Sequence, residues 1–164
     1  MNKLIKVAVD AMGGDNAPQK IIDGIELHHK KSKNTFYRLF GNKNIIEPAI
    51  NKKSIDNNFF EIIHTEDKIK GEDTAFAAAK RGKNTSMWLA IESVKNKTSD
   101  IIISAGNTGA LLIIAKLNLK MIENIDKPAL SGLWPNKTGM NVVLDLGANI
   151  ECSEKNLIDF SLMG

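Results

Sequence analysis

Apolar residues fall along this chain in two rhythms: short continuous runs, and longer stretches in which they recur every three or four positions. The first rhythm marks buried strands and the second amphipathic helices. The run from Leu4 to Val9 predicts a strand over residues 4–9. Pro18 near the first helical turn, with Asn16 or Asp15 placed to cap, predicts a helix reaching Lys31 with Ile21, Ile22 and Ile25 inward. His28, His29, Lys30, Lys31 and Lys33 are expected at its solvated end, where cations complement the helix dipole. Strands follow over 36–40, ended by Gly41-Asn42, and over 59–64, with a short helix over 45–50 that carries Pro48. Residues 65–74 read as a charged loop and 75–80 as a helical turn. A firmer helix spans 86–95, where Met87, Ala90, Ile91 and Val94 share one face. A fourth strand spans 100–104, and the helix predicted over 108–121 is apolar nearly all round, so burial is expected. Strands over 129–134 and 140–144, separated by a turn at Pro135-Asn136-Lys137, precede a last helix over 154–163. Strands that alternate with helices and read as continuous apolar runs predict a largely parallel sheet covered on both faces. No internal repeat or linker interrupts the pattern, so residues 1–164 are expected to form one α/β domain.

Three of the predicted strands end in glycine turns. Asp10 is followed by Gly13, Gly14 and Asp15; Ser104 by Gly106, Asn107 and Thr108; Asp145 by Gly147 and Asn149. Such turns bring bare backbone N–H groups near a helix start, which is a natural place for an anion. Ligands of open α/β sheets bind beyond the carboxyl ends of strands, so the three turns together predict one polar cleft. Asn107 and Thr108 can cap a helix or bond a ligand oxygen, and Asp10 and Asp145 can orient a donor or a basic side chain. A second feature is the segment Arg81 to Met87: Arg81 and Lys83 precede Ser86, which is placed to cap the next helix, an arrangement suited to phosphate.

Composition narrows this little. The 164 residues are 43% hydrophobic and 25% charged, as in an ordinary globular protein, and the net charge of +3 is too small to argue for nucleic acid. One cysteine, Cys152, excludes an internal disulfide and a cysteine-based zinc site. No signal-peptide pattern opens the chain, and the longest apolar run, 110–115, falls far short of the ~20 residues that span a bilayer. His64 reads as structural, and Cys152 as a buried inert thiol with no base beside it. The GxSxG, GxGxxG and Walker A patterns are absent, and no carboxylate pair has metal-ligand spacing.

The strings VAVDAMGGDNAP, RGKNTSM, SAGNTGAL and LDLGANIEC, with IDFSLMG at residues 158–164, closely resemble the phosphate acyltransferases of bacterial phospholipid synthesis. The resemblance covers essentially the whole chain. It implies a Rossmann-like three-layer α/β/α fold related to phosphotransacetylases and to the isocitrate and isopropylmalate dehydrogenases. It implies an enzyme in which inorganic phosphate attacks the thioester of acyl-acyl carrier protein, giving acyl phosphate without a cofactor, a metal or a covalent intermediate. Acyl phosphate would then feed a membrane glycerol-3-phosphate acyltransferase, from a homodimer in the cytoplasm or peripheral at the membrane. Carried onto this sequence, Asp10, Gly13, Gly14 and Asp15 would line one wall of the cleft; Gly106, Asn107 and Thr108 would supply donors; Asp145, Gly147 and Asn149 would form a third wall. Asp10, Asn107, Asp145 and Asn149 are the expected catalytic groups, and Arg81, Lys83 and Ser86 would face phosphate or the carrier protein.

The chain departs from the family pattern at Lys127, where Arg is common, and at Glu151, where Asp is common. Members of the family are longer, and the chain stops on Met163-Gly164 directly after an apolar helical pattern, so it is expected to be the N-terminal part of a longer enzyme. Two other readings stand beside this one: a phosphotransacetylase-like enzyme acting on acyl-CoA, and a fragment that binds phosphate or carrier protein without turnover. A nicotinamide dehydrogenase is disfavoured by the missing GxGxxG.

Overall fold

The computed structural model describes residues 4–164, which group into two compact units that divide between residues 119 and 120. In the first unit the strands are β1 (Ile5–Asp10), β2 (Thr35–Gly41), β3 (Phe60–His64) and β4 (Ile101–Ser104), and the helices α1 (Gln19–Lys31), α2 (Lys43–Ile50), α3 (Ala75–Lys80), α4 (Ser86–Lys95) and α5 (Thr108–Leu119). All four strands are parallel, in the order β3-β2-β1-β4. The second unit holds an antiparallel pair, β5 (Ser131–Asn136) and β6 (Gly139–Leu144), and a helix α6 (Glu154–Met163).

Side-chain alternation along β1 sorts the core into two layers. Val7 and Val9, with Tyr37 and Leu39 beside them in register, pack against Ile22 and Ile25 of α1 and Ile46 and Ile50 of α2. Ala8 and Phe40 face the other way, onto Ala90 of α4. Met87 and Ile91 of α4 then meet Ala78 of α3 and Ala110 and Ile114 of α5. The result is the Rossmann-like α/β/α arrangement that the alternating pattern predicts. The chain winds outward from β1 to β3 and then crosses back to place β4 on the other side of β1. The order reverses between β1 and β4, and an open sheet binds its ligands at such a reversal.

Four expectations change. Residue 18 rather than 15 or 16 is the N-cap of α1; as a proline it has no side-chain acceptor and makes no cap bond, and the Asn16 carbonyl accepts the Lys20 N–H. His29 is 1% exposed, stacked edge-on to Phe59, and its desolvation lowers its pKa, so it belongs to the core rather than the solvated end of α1. The helix after β4 stops at Leu119, and only Ala110, Ile114 and Asn118 are buried, since it packs along one side on α3 and α4. Pro135 and Asn136 lie within β5, and the turn is Lys137-Thr138. A two-stranded sheet leaves each strand a free edge, where the missing N–H of a proline is tolerated.

Candidate active site

The end of β1 and the end of β4 are tied together through one carboxylate. Asp10 is 1% exposed; its Oδ1 accepts from the Ser86 hydroxyl at 2.6 Å and its Oδ2 from the Ser104 hydroxyl at 2.8 Å. The Ser104 oxygen in turn accepts the Gly106 N–H at 3.1 Å. One residue at the C-terminus of β1 thus fixes the start of α4, the end of β4 and the second glycine turn. With both oxygens occupied and no exposure, Asp10 positions the site rather than facing a ligand.

The two glycine turns approach more closely than side chains would allow. A Cβ on Gly13 would collide with Asp10 Oδ2 and reach 3.1 Å from the Gly106 nitrogen. Gly14 has φ +89°, and a Cβ there would meet the Ala105 carbonyl oxygen at 2.5 Å. Between the paired turns and the loop over 68–72 lies a cleft of about 440 Å³, lined on one side by Gly14, Asp15, Ala105, Gly106 and Asn107 and on the other by residues 68–72. Asn107 holds that opposite wall. Its amide donates to the carbonyls of Gly71 (3.0 Å) and Asp73 (2.9 Å), while its Oδ1 accepts the Ala110 N–H and so caps α5. Thr108 is the first residue of α5, whose N-terminus therefore opens at the cleft.

The Arg81 segment is arranged differently from its sequence reading. Thr85, not Ser86, caps α4, accepting the Trp88 N–H; Ser86 is the first helical residue and turns inward to Asp10. The Ser86 N–H is also spent, on the Asp67 carbonyl. Arg81 pairs with Asp73 at 2.8 Å and braces the loop over 68–73. Lys83 is exposed. The cations that do line the cleft are Lys68 and Lys70, which the sequence shows only as part of a charged loop. No pattern of spacing singles them out, because the loop is brought to the cleft by Asn107 and Arg81. Asp15 and Glu72 also line the cleft, so its side-chain charges balance, and anion preference falls to the backbone and the α5 N-terminus.

The third turn belongs to the second unit. Asp145, at φ 61°, accepts from the Asn149 side chain (2.9 Å) and backbone (3.3 Å), across Gly147, and from the Cys152 thiol at 3.4 Å. Asn149 also donates to the Pro128 carbonyl. The two departures from the family pattern meet: the Lys127 ammonium donates to the Glu151 carbonyl at 2.6 Å. The Asn149 hydrogen bond, above all, holds the Asp145 carboxyl below its ordinary range. Its stabilising contribution is thus present above the unfolded-state pKa and is lost as pH falls through the lower folded value. Desolvation, and then the Asp145 carboxylate, push the Cys152 thiol up, which opposes a nucleophilic role although the residue is exposed and not buried as expected. Asp145→Asn is expected to speed alkylation of Cys152 by iodoacetamide about threefold at mildly alkaline pH, read by mass spectrometry. An unchanged rate would show that the carboxylate does not restrain the thiol.

Among the described residues, no group of three or more His, Cys, Asp or Glu side chains is arranged to hold a metal ion. No helix among them is long and apolar enough to cross a membrane.

The sequence profile of a family described as "Fatty acid synthesis protein" matches residues 5–164. A phosphate acyltransferase of Pelagibacter ubique (strain HTCC1062) is 71% identical over 164 residues, all of this chain and 49% of that protein. Phosphate acyltransferases of Rhodospirillum rubrum and Paramagnetospirillum magneticum are 40% and 37% identical, again over the whole chain and 47% of each relative. The chain spans about half the length of the curated relatives it matches.

Proposed function

The chain belongs to the fatty acid synthesis protein family, and from that membership we propose that it carries the phosphate site of an acyl-acyl carrier protein:phosphate acyltransferase. The observation that carries this reading is the cleft at the β1/β4 reversal, where two glycine turns, the α5 N-terminus, Lys68 and Lys70 converge. A phosphate dianion there is already a nucleophile. One of its oxygens attacks the thioester carbonyl, the carbon–sulfur bond breaks, and the carrier thiol leaves with the proton while acyl phosphate remains. Orientation of phosphate and stabilisation of the thioester oxyanion then carry the rate. Asp10 and Asn107 act in this scheme as positioning residues, the first for the glycine turns and the second for the lysine loop. The acidic surface of a carrier protein suits the exposed Lys83 beside the cleft loop. Acyl phosphate, a reactive mixed anhydride, calls for a consuming acyltransferase such as the membrane glycerol-3-phosphate enzyme, and a homodimer is the expected assembly of the whole protein.

The test follows labelled inorganic phosphate into extractable acyl phosphate with acyl-acyl carrier protein, using the 164-residue chain and the Pelagibacter ubique relative. Turnover by the relative with acyl-acyl carrier protein is expected; turnover only with acetyl-CoA would replace this reading by a phosphotransacetylase. In the chain itself, Lys68→Gln with Lys70→Gln is expected to weaken phosphate binding about tenfold by calorimetry, or about 1.4 kcal/mol. Unchanged affinity would remove the lysines from the site.

A further inference from the structure

A site built only to attract an anion would carry no carboxylates, yet Asp15 and Glu72 line the cleft together with Lys68 and Lys70. The four charged groups share about 440 Å³, and none of these side chains makes an ion pair or hydrogen bond among the described residues. Neighbouring charges that serve the fold behave otherwise: the Asp73 carboxylate accepts from Arg81 and from the Lys70 N–H. The two carboxylates of the cleft are therefore left to water or to a ligand. An ionised carboxylate only accepts hydrogen bonds, so a ligand held by one must bring a proton.

Of the two, Asp15 stands on the wall that holds the backbone donors. It follows Gly14, whose close approach to the Ala105 carbonyl ties this turn to the one after β4. It thus shares a wall with Gly106 and with the residue that caps α5, Asn107. Glu72 lies on the opposite wall, two residues from Lys70, and its longer side chain loses more rotamer freedom on being fixed. An oxyanion seated in the cleft meets donors from the lysines and the backbone, and an acceptor from Asp15. Phosphate near neutral pH suits both, because it keeps a hydroxyl while its other oxygens carry the charge. Sulfate has the same shape and no hydroxyl.

We infer that Asp15 is a specificity-determining residue of this cleft: its carboxylate accepts the hydroxyl of hydrogen phosphate and so excludes oxyanions that carry no proton. A hydroxyl donating to a carboxylate makes a short, charge-assisted hydrogen bond. An oxyanion without a proton instead sets two negative oxygens against each other, which discriminates by repulsion. A site that bonds a ligand hydroxyl rejects the analogue lacking it far better than an apolar pocket rejects a missing methylene. The inference rests on the cleft being the phosphate site, and it adds how that site tells phosphate from sulfate.

The test is calorimetry on the 164-residue chain at neutral pH with inorganic phosphate, sulfate and monofluorophosphate, the last a dianion with fluorine in place of the phosphate hydroxyl. Phosphate is expected to bind more than about tenfold tighter than either, or about 1.4 kcal/mol. Asp15→Asn offers an amide donor to the bare oxygens, so the ratio of phosphate to sulfate affinity is expected to fall to within about twofold. Its melting temperature is expected to be unchanged, because the Asp15 carboxylate has no partner among the described residues. Glu72→Gln is expected to keep the ratio. Equal binding of phosphate and sulfate by the unsubstituted chain, or a ratio that survives Asp15→Asn, would overturn the inference and leave the phosphate site standing. So would a ratio that collapses in Glu72→Gln alone. A chain that binds no phosphate at all would overturn the site, and this inference with it.

Discussion

Asp10→Ala is expected to destabilise the first unit by about 3–6 kcal/mol, measured by urea unfolding with tryptophan fluorescence. The magnitude comes from two hydrogen bonds to a charged acceptor, each worth about 1.5–3 kcal/mol. Alanine leaves the Ser86 and Ser104 hydroxyls buried or half-buried without the acceptor that both use. Asp10→Asn keeps the shape and one acceptor oxygen, so it should lose about half as much. Phosphate affinity should fall in both variants, because the Gly106 turn is held through Ser104. A loss below about 1 kcal/mol for Asp10→Ala would mean that the hydroxyls find other partners, and that the carboxylate is free for a direct role in the reaction.

Gly14→Ala is expected to cost about 2–4 kcal/mol, combining backbone strain and overpacking. The residue sits at φ +89°, and the new Cβ would press on the Ala105 carbonyl at 2.5 Å. The two terms separate by comparison with Gly82→Ala. Gly82 has φ +114° and open space around its Cβ position, so only strain applies there. If the clash matters, Gly14→Ala unfolds at lower urea than Gly82→Ala and loses phosphate binding, because it forces the two turns apart. Equal midpoints with unchanged binding would show that the turns separate without consequence.

The strands and helices were largely legible because each carries its own periodic signal. The residues of α3, α4 and α6 are those that the pattern marks, and capping chemistry explains it: Thr74, Thr85 and Ser153 each accept a backbone N–H at the helix start. Local signals failed where a distant partner decides. Ser86 looked like a cap because nothing nearby reveals that its hydroxyl belongs to Asp10. Pro135 and Asn136 looked like a turn because the tolerance of a free strand edge is a property of the sheet. His29 sits among lysines in sequence but against Phe59 in space. Of the candidate cleft, the sequence showed the two glycine turns that the structure brings together. The lysine wall was hidden in a loop whose position is set by Asn107. The Asp145 turn lies in the second unit and closes on itself through Asn149.

The Asp10 bridge also sets a time order on assembly. Its two bonds reach across 76 and 94 residues of chain. At ~5–20 residues per second of synthesis, the Asp10 carboxylate waits on the order of 5–20 s for the last of its partners to be made. Until then β1 and β2 can pair, and the turn after β1 is held only by backbone bonds such as Ala11 N–H to the Phe40 carbonyl. The cleft thus cannot become native before the segment around Ser104 has arrived.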